Sequence, residues 1–369
     1  MKKKLAIIGA SIGQLPICKK AQEMNLETFC FAWDKGAICK PFVDHFYPIS
    51  ILEKDKIADI CRENHNISGV VSNASDLTAE VAAYVAETNK LNTTPYKKLI
   101  SLRDKNLVRN LCRNIEGLST PRYYKYTGKD LGIYPCVVKP CVGSAKQGVS
   151  YVEDKEELAQ AIDYACSSDK DSIEIEEYIK GKEVSVESIS YHGKHTVIQI
   201  TDKDNTGAPH FAELGHHQPA QIPNNIHESI LATIPKILTA IGYINGASHI
   251  EMKYNRNGLY LIEANLRGGG DEISNRLTTM STGIDYLRSM IDVALDNFKG
   301  LIRIGEKSYA GIYYLCKQTA NLLPAFINAK GQPWCVEERV DSTDLVESSS
   351  NYERNGYLIY KSDHKINLQ

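Results

Sequence analysis

A doubly wound α/β domain followed by a longer α+β portion is the fold class that this 369-residue sequence predicts. Three observations carry that reading. Leu5-Ala6-Ile7-Ile8 is a short apolar run closed by Gly9-Ala10-Ser11-Ile12-Gly13 and followed by helical spacing from Leu15 to Ala21, the strand, glycine turn and helix that open a doubly wound unit. Two further apolar runs, Glu27 to Phe31 and Gly69 to Ser72, alternate with helical segments such as Lys54 to Asn64, which gives a parallel sheet over residues 1–95. After Thr93-Thr94-Pro95-Tyr96, which reads as a linker, short strands are joined by tight turns. The strongest such turn is Asn255-Arg256-Asn257-Gly258 between two apolar runs.

The first glycine turn permits sharper readings that its spacing does not support. It lacks the second glycine of G-x-G-x-x-G, so a dinucleotide site is not expected. It matches G-x-S-x-G at Ser11, but no ordered acid and histidine follow for a hydrolase. The reading retained is a tight turn that lets a small ligand approach backbone N–H groups at the helix start.

Length suffices for two or three packed domains. A formal net charge of −2, with 24% charged residues, leaves no electrostatic footprint for nucleic acid or an anionic membrane. No apolar run reaches the roughly 18 residues that a bilayer span needs, and the basic start is too briefly apolar for a signal peptide, so a cytoplasmic protein is expected. Ten scattered cysteines without a C-x-x-C pair read as small buried hydrophobes.

In the middle of the chain, a helix is expected from Ser101 to Asn114. Cys136-Val137-Val138-Lys139 then places a lysine at the end of a short strand, directly before Cys141-Val142-Gly143-Ser144-Ala145-Lys146-Gln147-Gly148. A small-residue loop behind a strand lysine can lay N–H groups over phosphates while the lysine supplies point charge, although no G-K-[ST] of a Walker loop is present. A helix over Glu156 to Ser167 leads to Ile173-Glu174-Ile175-Glu176-Glu177-Tyr178-Ile179, a turn at Lys180-Gly181, and Glu183-Val184-Ser185-Val186-Glu187. This stretch is either an ordinary acidic hairpin or a nucleotide hinge, with strand-end backbone on the adenine edge and Glu183 on the ribose hydroxyls.

Around Asn255 to Gly258, each strand carries a central carboxylate, Glu251 upstream and Glu263 downstream, and Asn265 shares a face with Glu263 because strand side chains alternate. A two-residue Asn257-Gly258 turn would send Glu251 to the opposite face. A three-residue loop with left-handed Gly258, pairing Asn255 with Leu259, sets Glu251 opposite Glu263, and this register is expected because carboxylates in apolar strands need a shared partner. Mg²⁺, with Mn²⁺ as an alternative, suits such oxygens, and Arg267 can fork onto phosphoryl oxygens beside them.

Taken in order, the strand lysine, the glycine loop, Glu-Glu-Tyr-Ile with Glu183, and Glu251…Glu263-x-Asn265-x-Arg267 resemble the ATP-grasp superfamily. The likeness is to the branch holding carboxylate-amine ligases, carbamoyl-phosphate synthase large-subunit-like domains, biotin carboxylase and L-amino acid ligases. The resemblance implies a pre-ATP-grasp domain at 1–95, a central ATP-grasp subdomain with its lid loop at 96–184, and a catalytic subdomain at 185–369. It implies ATP as the nucleotide, with Lys105 and Lys139 facing phosphates and Gly143, Ser144 and Gly148 in the lid. Glu176, Glu177 and Ile179 would lie at the adenine hinge, Glu183 at the ribose, Glu251, Glu263 and Asn265 on the metal, and Arg267 with Lys139 in catalysis.

The implied reaction activates a small carboxylate as an acyl phosphate and joins it to an amine, compatible with a homodimer. Bicarbonate or formate activation, and a regulator that only binds nucleotide, are the alternatives. On the substrate side the reading places His217, Arg267 and Gly269, and it leaves His249 structural. Residues 300–369 lack the long extension that such amino acid ligases often carry. Glu347-Ser348-Ser349-Ser350 with Arg354 resembles the element that closes that lobe.

Overall fold

A computed structural model describes residues 2–141, 147–168, 172–209 and 211–368. Its strands in chain order are β1 (Lys4–Ile8), β2 (Glu27–Ala32), β3 (His45–Pro48), β4 (Gly69–Val71), β5 (Leu118–Ser119), β6 (Tyr123–Lys125), β7 (Cys136–Pro140), β8 (Ser150–Val152) and β9 (Ile173–Glu177). There follow β10 (Lys182–Tyr191), β11 (Lys194–Asn205), β12 (Glu213–Gln218), β13 (Gly246–Asn255), β14 (Gly258–Asn265), β15 (Tyr309–Leu315), β16 (Cys335–Val340) and β17 (Gly356–Ser362).

The N-terminal sheet is parallel throughout, in the order β3-β2-β1-β4. Alternate residues of β1 serve its two faces. Leu5 and Ile7 pack with Ile17 and Cys18 of the first helix, whereas Ala6 and Ile8 pack with Ile57, Val81 and Val85. The strand at His45–Pro48 escaped the sequence reading because it is a short edge with a proline at its end and no fully buried residue. The first of these cores is completed by Tyr286, Leu287 and Ile291 of the helix Tyr286–Ala294. The boundary expected near residue 95 therefore divides the sheets without dividing this core.

A second sheet, β6-β9-β7-β8, is antiparallel and is covered on one face by helix Lys155–Ser168 through Leu158, Ala161 and Ala165. The third sheet has nine strands in the order β16-β17-β15-β12-β11-β10-β13-β14-β5. Apolar residues of its centre, Val184, Val186, Ile250, Met252 and Leu261, point to one side and bury Ile230, Ile234 and Ile237 of helix Asn224–Ala240. Period-two alternation therefore sends Glu183, Ser185, Glu187, His249 and Glu251 to the other side. No helix among the described residues is long and apolar enough to cross a membrane.

One of two open alternatives is excluded, and one local expectation is corrected. The stretch 173–187 is not a hairpin: β9 pairs with β6 and β7 in the second sheet, and β10 pairs with β11 and β13 in the third. Residues 178–181 are thus the passage between two lobes. Gly181 is required there, since a Cβ would lie 2.5 Å from the Tyr254 carbonyl oxygen. The helix expected from Ser101 to Asn114 is two helices, Tyr96–Ser101 and Lys105–Cys112, because Asp104 caps the second by accepting from the N–H groups of Asn106 at 2.8 Å and Leu107 at 3.3 Å.

The Gly181 contact is with rigid backbone, so Gly181→Ala is expected to cost about 1–3 kcal/mol. A denaturant titration reads this directly, and a midpoint equal to that of the parent would show that the passage can shift.

Candidate active site

The polar face of the nine-stranded sheet, the second sheet and the loop after β4 enclose a cavity of about 560 Å³. Strand register brings its floor together. Glu183 lies opposite Lys203 on β11 and Lys253 on β13, Glu187 opposite His249, Lys203 opposite His216 on β12, and Glu251 opposite Glu263.

The last pairing was expected, but it is reached differently. The turn is the two residues Arg256-Asn257, with Asn255 opposite Gly258 and Tyr254 opposite Leu259. That register alone would put Glu263 out of phase with Glu251. A bulge between Met252 and Glu251 adds Ile262 to β14 and restores the alignment. The carbonyl of Ile262 accepts from Nη2 of Arg109 at 3.3 Å, so the bulged residue has a specific partner.

Buried charges are arranged in two clusters. On the floor, the Nζ of Lys203 sits 3.2 Å from Glu183, 3.0 Å from Glu213 and 2.9 Å from Glu251, with its side chain only 3% exposed. Burial pulls its pKa down, but the three carboxylates override this and hold it well above the ordinary lysine value. On the roof, Arg109 bonds both Glu174 and Glu176, and Lys139 lies 2.6 Å from Glu176. Burial raises the pKa of Glu176, and Arg109 and Lys139 more than reverse this, leaving it below the ordinary value. Lys105, first residue of its helix, reaches Glu263 at 3.0 Å. Desolvation opposes its charge, which Glu263 sustains, so its pKa is raised.

His249 bridges Glu187 at 2.5 Å and Glu251 at 3.3 Å. Burial disfavours the imidazolium, yet these carboxylates lift its pKa to about 9. Gly269 donates its N–H to Glu187 at 3.2 Å, and a Cβ there would stand 2.7 Å from His249 Nδ1. At the far wall Asp271 takes two bonds from Arg354, 3.1 and 2.9 Å, with His216 at 3.5 Å. Burial raises the Asp271 pKa, whereas His216 and Arg354 bring it far below the ordinary carboxylate value.

Of the residues singled out from sequence, Lys105, Lys139, Glu176, Glu183, Glu251, Glu263, Asn265 and Arg267 line this one cavity. Others do not. The Glu177 N–H and carboxylate both engage Arg122, at 2.8 and 3.1 Å, Ile179 is buried, and Gly148 occupies a turn at φ +71° between the cavity-lining Gln147 and Val149. Gly143 and Ser144 lie outside the described residues. Gly269 supports His249 from behind and is not in the lining.

His217 is the clear correction. It points away from the cavity and packs between Tyr313 and Tyr360, with Nδ1 3.1 Å from the Tyr360 hydroxyl. Burial lowers its pKa. Its neighbour His216, one position out of phase, is the residue that faces the site. Lys203, Arg109 and Asp76 were not read from the sequence, and Arg354 was read only as part of the element that closes the last lobe. A lysine in phase with the polar side of a strand carries no mark that separates it from a solvated one.

Among the described residues, no group of three or more His, Cys, Asp and Glu forms a ready-made metal cluster. Glu251, Glu263 and Asn265 are two carboxylates and an amide in one cavity, a hard-oxygen set that fits Mg²⁺ when water and phosphate complete the octahedron.

Comparison with known proteins adds to this geometry. Residues 133–275 match the family model described as ATP-grasp domain. The solved L-amino acid ligase from Bacillus licheniformis superposes with a TM-score of 0.80 at 22% identity, over 98% of this chain and 94% of that one. The chain carries an ATP-grasp domain match over residues 133–275 and shares the fold of that ligase. The N5-carboxyaminoimidazole synthetase from Staphylococcus aureus, complexed with ADP, gives 0.75 at 15% identity, over 99% and 95%. A D-alanine–D-alanine ligase of Geobacter sulfurreducens is 30% identical over 145 residues, 38% of this chain and 45% of that relative. The chain spans less than half the length of the first curated relatives it matches. The matched segment includes Lys139, Glu183, Lys203, Glu251, Glu263 and Arg267. Lys105 and Arg109 precede it.

Among the described residues, Arg109 and Lys139 are the ion-pair partners of Glu174 and Glu176. Arg109→Met should cost about 3–5 kcal/mol by leaving buried charge unpaired. Equilibrium unfolding of the variant at neutral pH measures this, and a loss under 1 kcal/mol would contradict the account.

Proposed function

We propose that this chain is an ADP-forming ligase that activates a small carboxylate with ATP and couples it to an amine, with an amino acid as one partner. The observation that carries the reading is the opposed pair Glu251 and Glu263 in a cavity that also holds Lys105, Lys139 and Arg267. A carboxylate resists amine attack because it is resonance-stabilised and negatively charged. Phosphorylation makes it an acyl phosphate with a good leaving group. When bound, Mg²⁺ supplies charge neutralisation between nucleotide phosphates.

The chain's own residues provide the rest. Lys105 and Lys139 carry charge to the phosphate region from two different lobes, and Arg267 is placed to meet the transferred phosphoryl group. Glu183 would accept from ribose hydroxyls beside Lys253, and Glu176 would hold Lys139 upright by their 2.6 Å bond. Passage 178–181 between the second and third sheets supports the hinge reading over the hairpin, because a nucleotide held there touches both lobes. Glu251 and Glu263 would take the metal, releasing Lys203 and Lys105 from part of their present pairing. The superposition on an L-amino acid ligase over nearly all of both chains supports the amino acid assignment.

The decisive measurement is ADP release with Mg²⁺ across amino acids singly and in pairs, together with bicarbonate and formate. Turnover that requires two amino acids supports the proposal. Turnover with bicarbonate or formate alone replaces it, and nucleotide binding without turnover leaves only a regulator. In the same assay Glu263→Gln should keep the fold and lose on the order of 100-fold or more in kcat, since one metal charge goes uncompensated. An unchanged rate would refute its role.

A further inference from the structure

The proposed reaction needs Arg267 at one orientation, and the structure shows what sets it. The Arg267 side chain is largely buried, and two of its three guanidinium nitrogens are already engaged. Nε donates to Oδ1 of Asp76 at 2.8 Å, and Nη1 donates to the Gly268 carbonyl at 3.0 Å. Among the described residues Nη2 has no such bond, so one edge of the guanidinium is left for an anion. Arg267 and Asp76 both line the cavity that holds Glu251 and Glu263.

Asp76 comes from elsewhere in the chain. It opens the helix Asp76–Thr88, directly after Ser75, which caps that helix from the loop following β4. One turn on, Glu80 lies 3.1 Å from Nε of Arg103, another residue of the cavity wall. Two carboxylates at i and i+4 of one N-terminal helix thus hold two arginines of the other lobes. The helix is itself fixed to the far lobe, since Asn73 donates to Asn275 at 2.6 Å and accepts from Ser274 at 3.0 Å. Burial works against the charge of Arg267, and Asp76 is the partner that most offsets it.

We propose that Asp76 is a positioning residue: by fixing Nε of Arg267 it presents Nη2 to the terminal phosphoryl group of a bound nucleoside triphosphate, so the N-terminal domain completes the phosphoryl-transfer site. This rests on the function proposed above. A guanidinium pinned on two sides needs no reorganisation when charge develops beside it, whereas an unpinned one must be ordered at each turnover. The contact concerns only the terminal phosphate, so it should separate triphosphate from diphosphate and leave adenine and ribose binding untouched.

The test uses the full chain with Mg²⁺ and two readouts. Calorimetric affinities for a non-hydrolysable ATP analogue and for ADP give a triphosphate preference that does not depend on turnover. In Asp76→Asn this preference should fall about tenfold, with ADP affinity unchanged, and Asp76→Glu should recover part of it. In an Arg267→Gln background, Asp76→Asn should change nothing further, because the two residues act as one unit. Where the parent turns over, kcat of Asp76→Asn should fall on the order of 10- to 100-fold, with KM for ATP rising no more than the roughly tenfold loss of triphosphate affinity. Thermal melts identify any variant that does not fold, in which case Asp76→Glu and the Arg267→Gln pair decide.

A preference equal to that of the parent in Asp76→Asn, additive effects in the double variant, or equal losses for ATP analogue and ADP would overturn the proposal. A parent that binds triphosphate with the predicted dependence on Asp76 but turns over no substrate of the panel would overturn the ligase reading alone. A parent that binds neither nucleotide would overturn both.

Discussion

One ammonium makes the floor of this site possible. Lys203 stands among Glu183, Glu213 and Glu251, all nearly withdrawn from water. Without it, three carboxylates gathered from three strands of one sheet would lose the partner they share in a poorly solvated space. Its own charge survives burial only because those carboxylates surround it. The arrangement is mutual, and it explains how residues suited to a cation can persist in a cavity before any cation arrives.

The remaining architecture can be understood as keeping this acidic floor in register with a basic roof. A bulge at Ile262 brings Glu263 opposite Glu251, and Arg109 holds the bulged carbonyl while bonding Glu174 and Glu176 above. Arg109 therefore joins the helix after the linker, the second sheet and the edge of the third in one buried contact. Lys105, four residues earlier on the same helix, meets Glu263 from that side. The lobes are thus coupled through charges at the site itself as well as through apolar packing elsewhere. The N-terminal sheet shares in this, since its first core is completed by Tyr286, Leu287 and Ile291.

Much of the design was legible residue by residue where local chemistry sufficed. The parallel sheet at the start followed from glycine-closed apolar runs, and the facing of Glu263 and Asn265 followed from strand alternation alone. The opposition of Glu251 and Glu263 was anticipated from the need of carboxylates for a common partner, although the three-residue loop invoked for it is not the one formed. Where two local solutions were equivalent, the reading failed. Of two adjacent histidines on β12, only register against β11 decides that His216 faces Lys203 and that His217 faces Tyr360.

The sequence by itself determined the order of elements, the lysine and carboxylates that the cavity gathers, and the turn chemistry that brings strands together, because each depends on residues within a few positions of one another. Only the tertiary structure decided which charges meet: Asp76 with Arg267 across 191 residues, Arg109 with Glu174 across 65, and Arg354 with Asp271 across 83. An ion pair leaves no periodic trace in either of its strands or helices. Its cost and its benefit arise from desolvation at the place where distant segments meet, and that place exists only once the chain has folded.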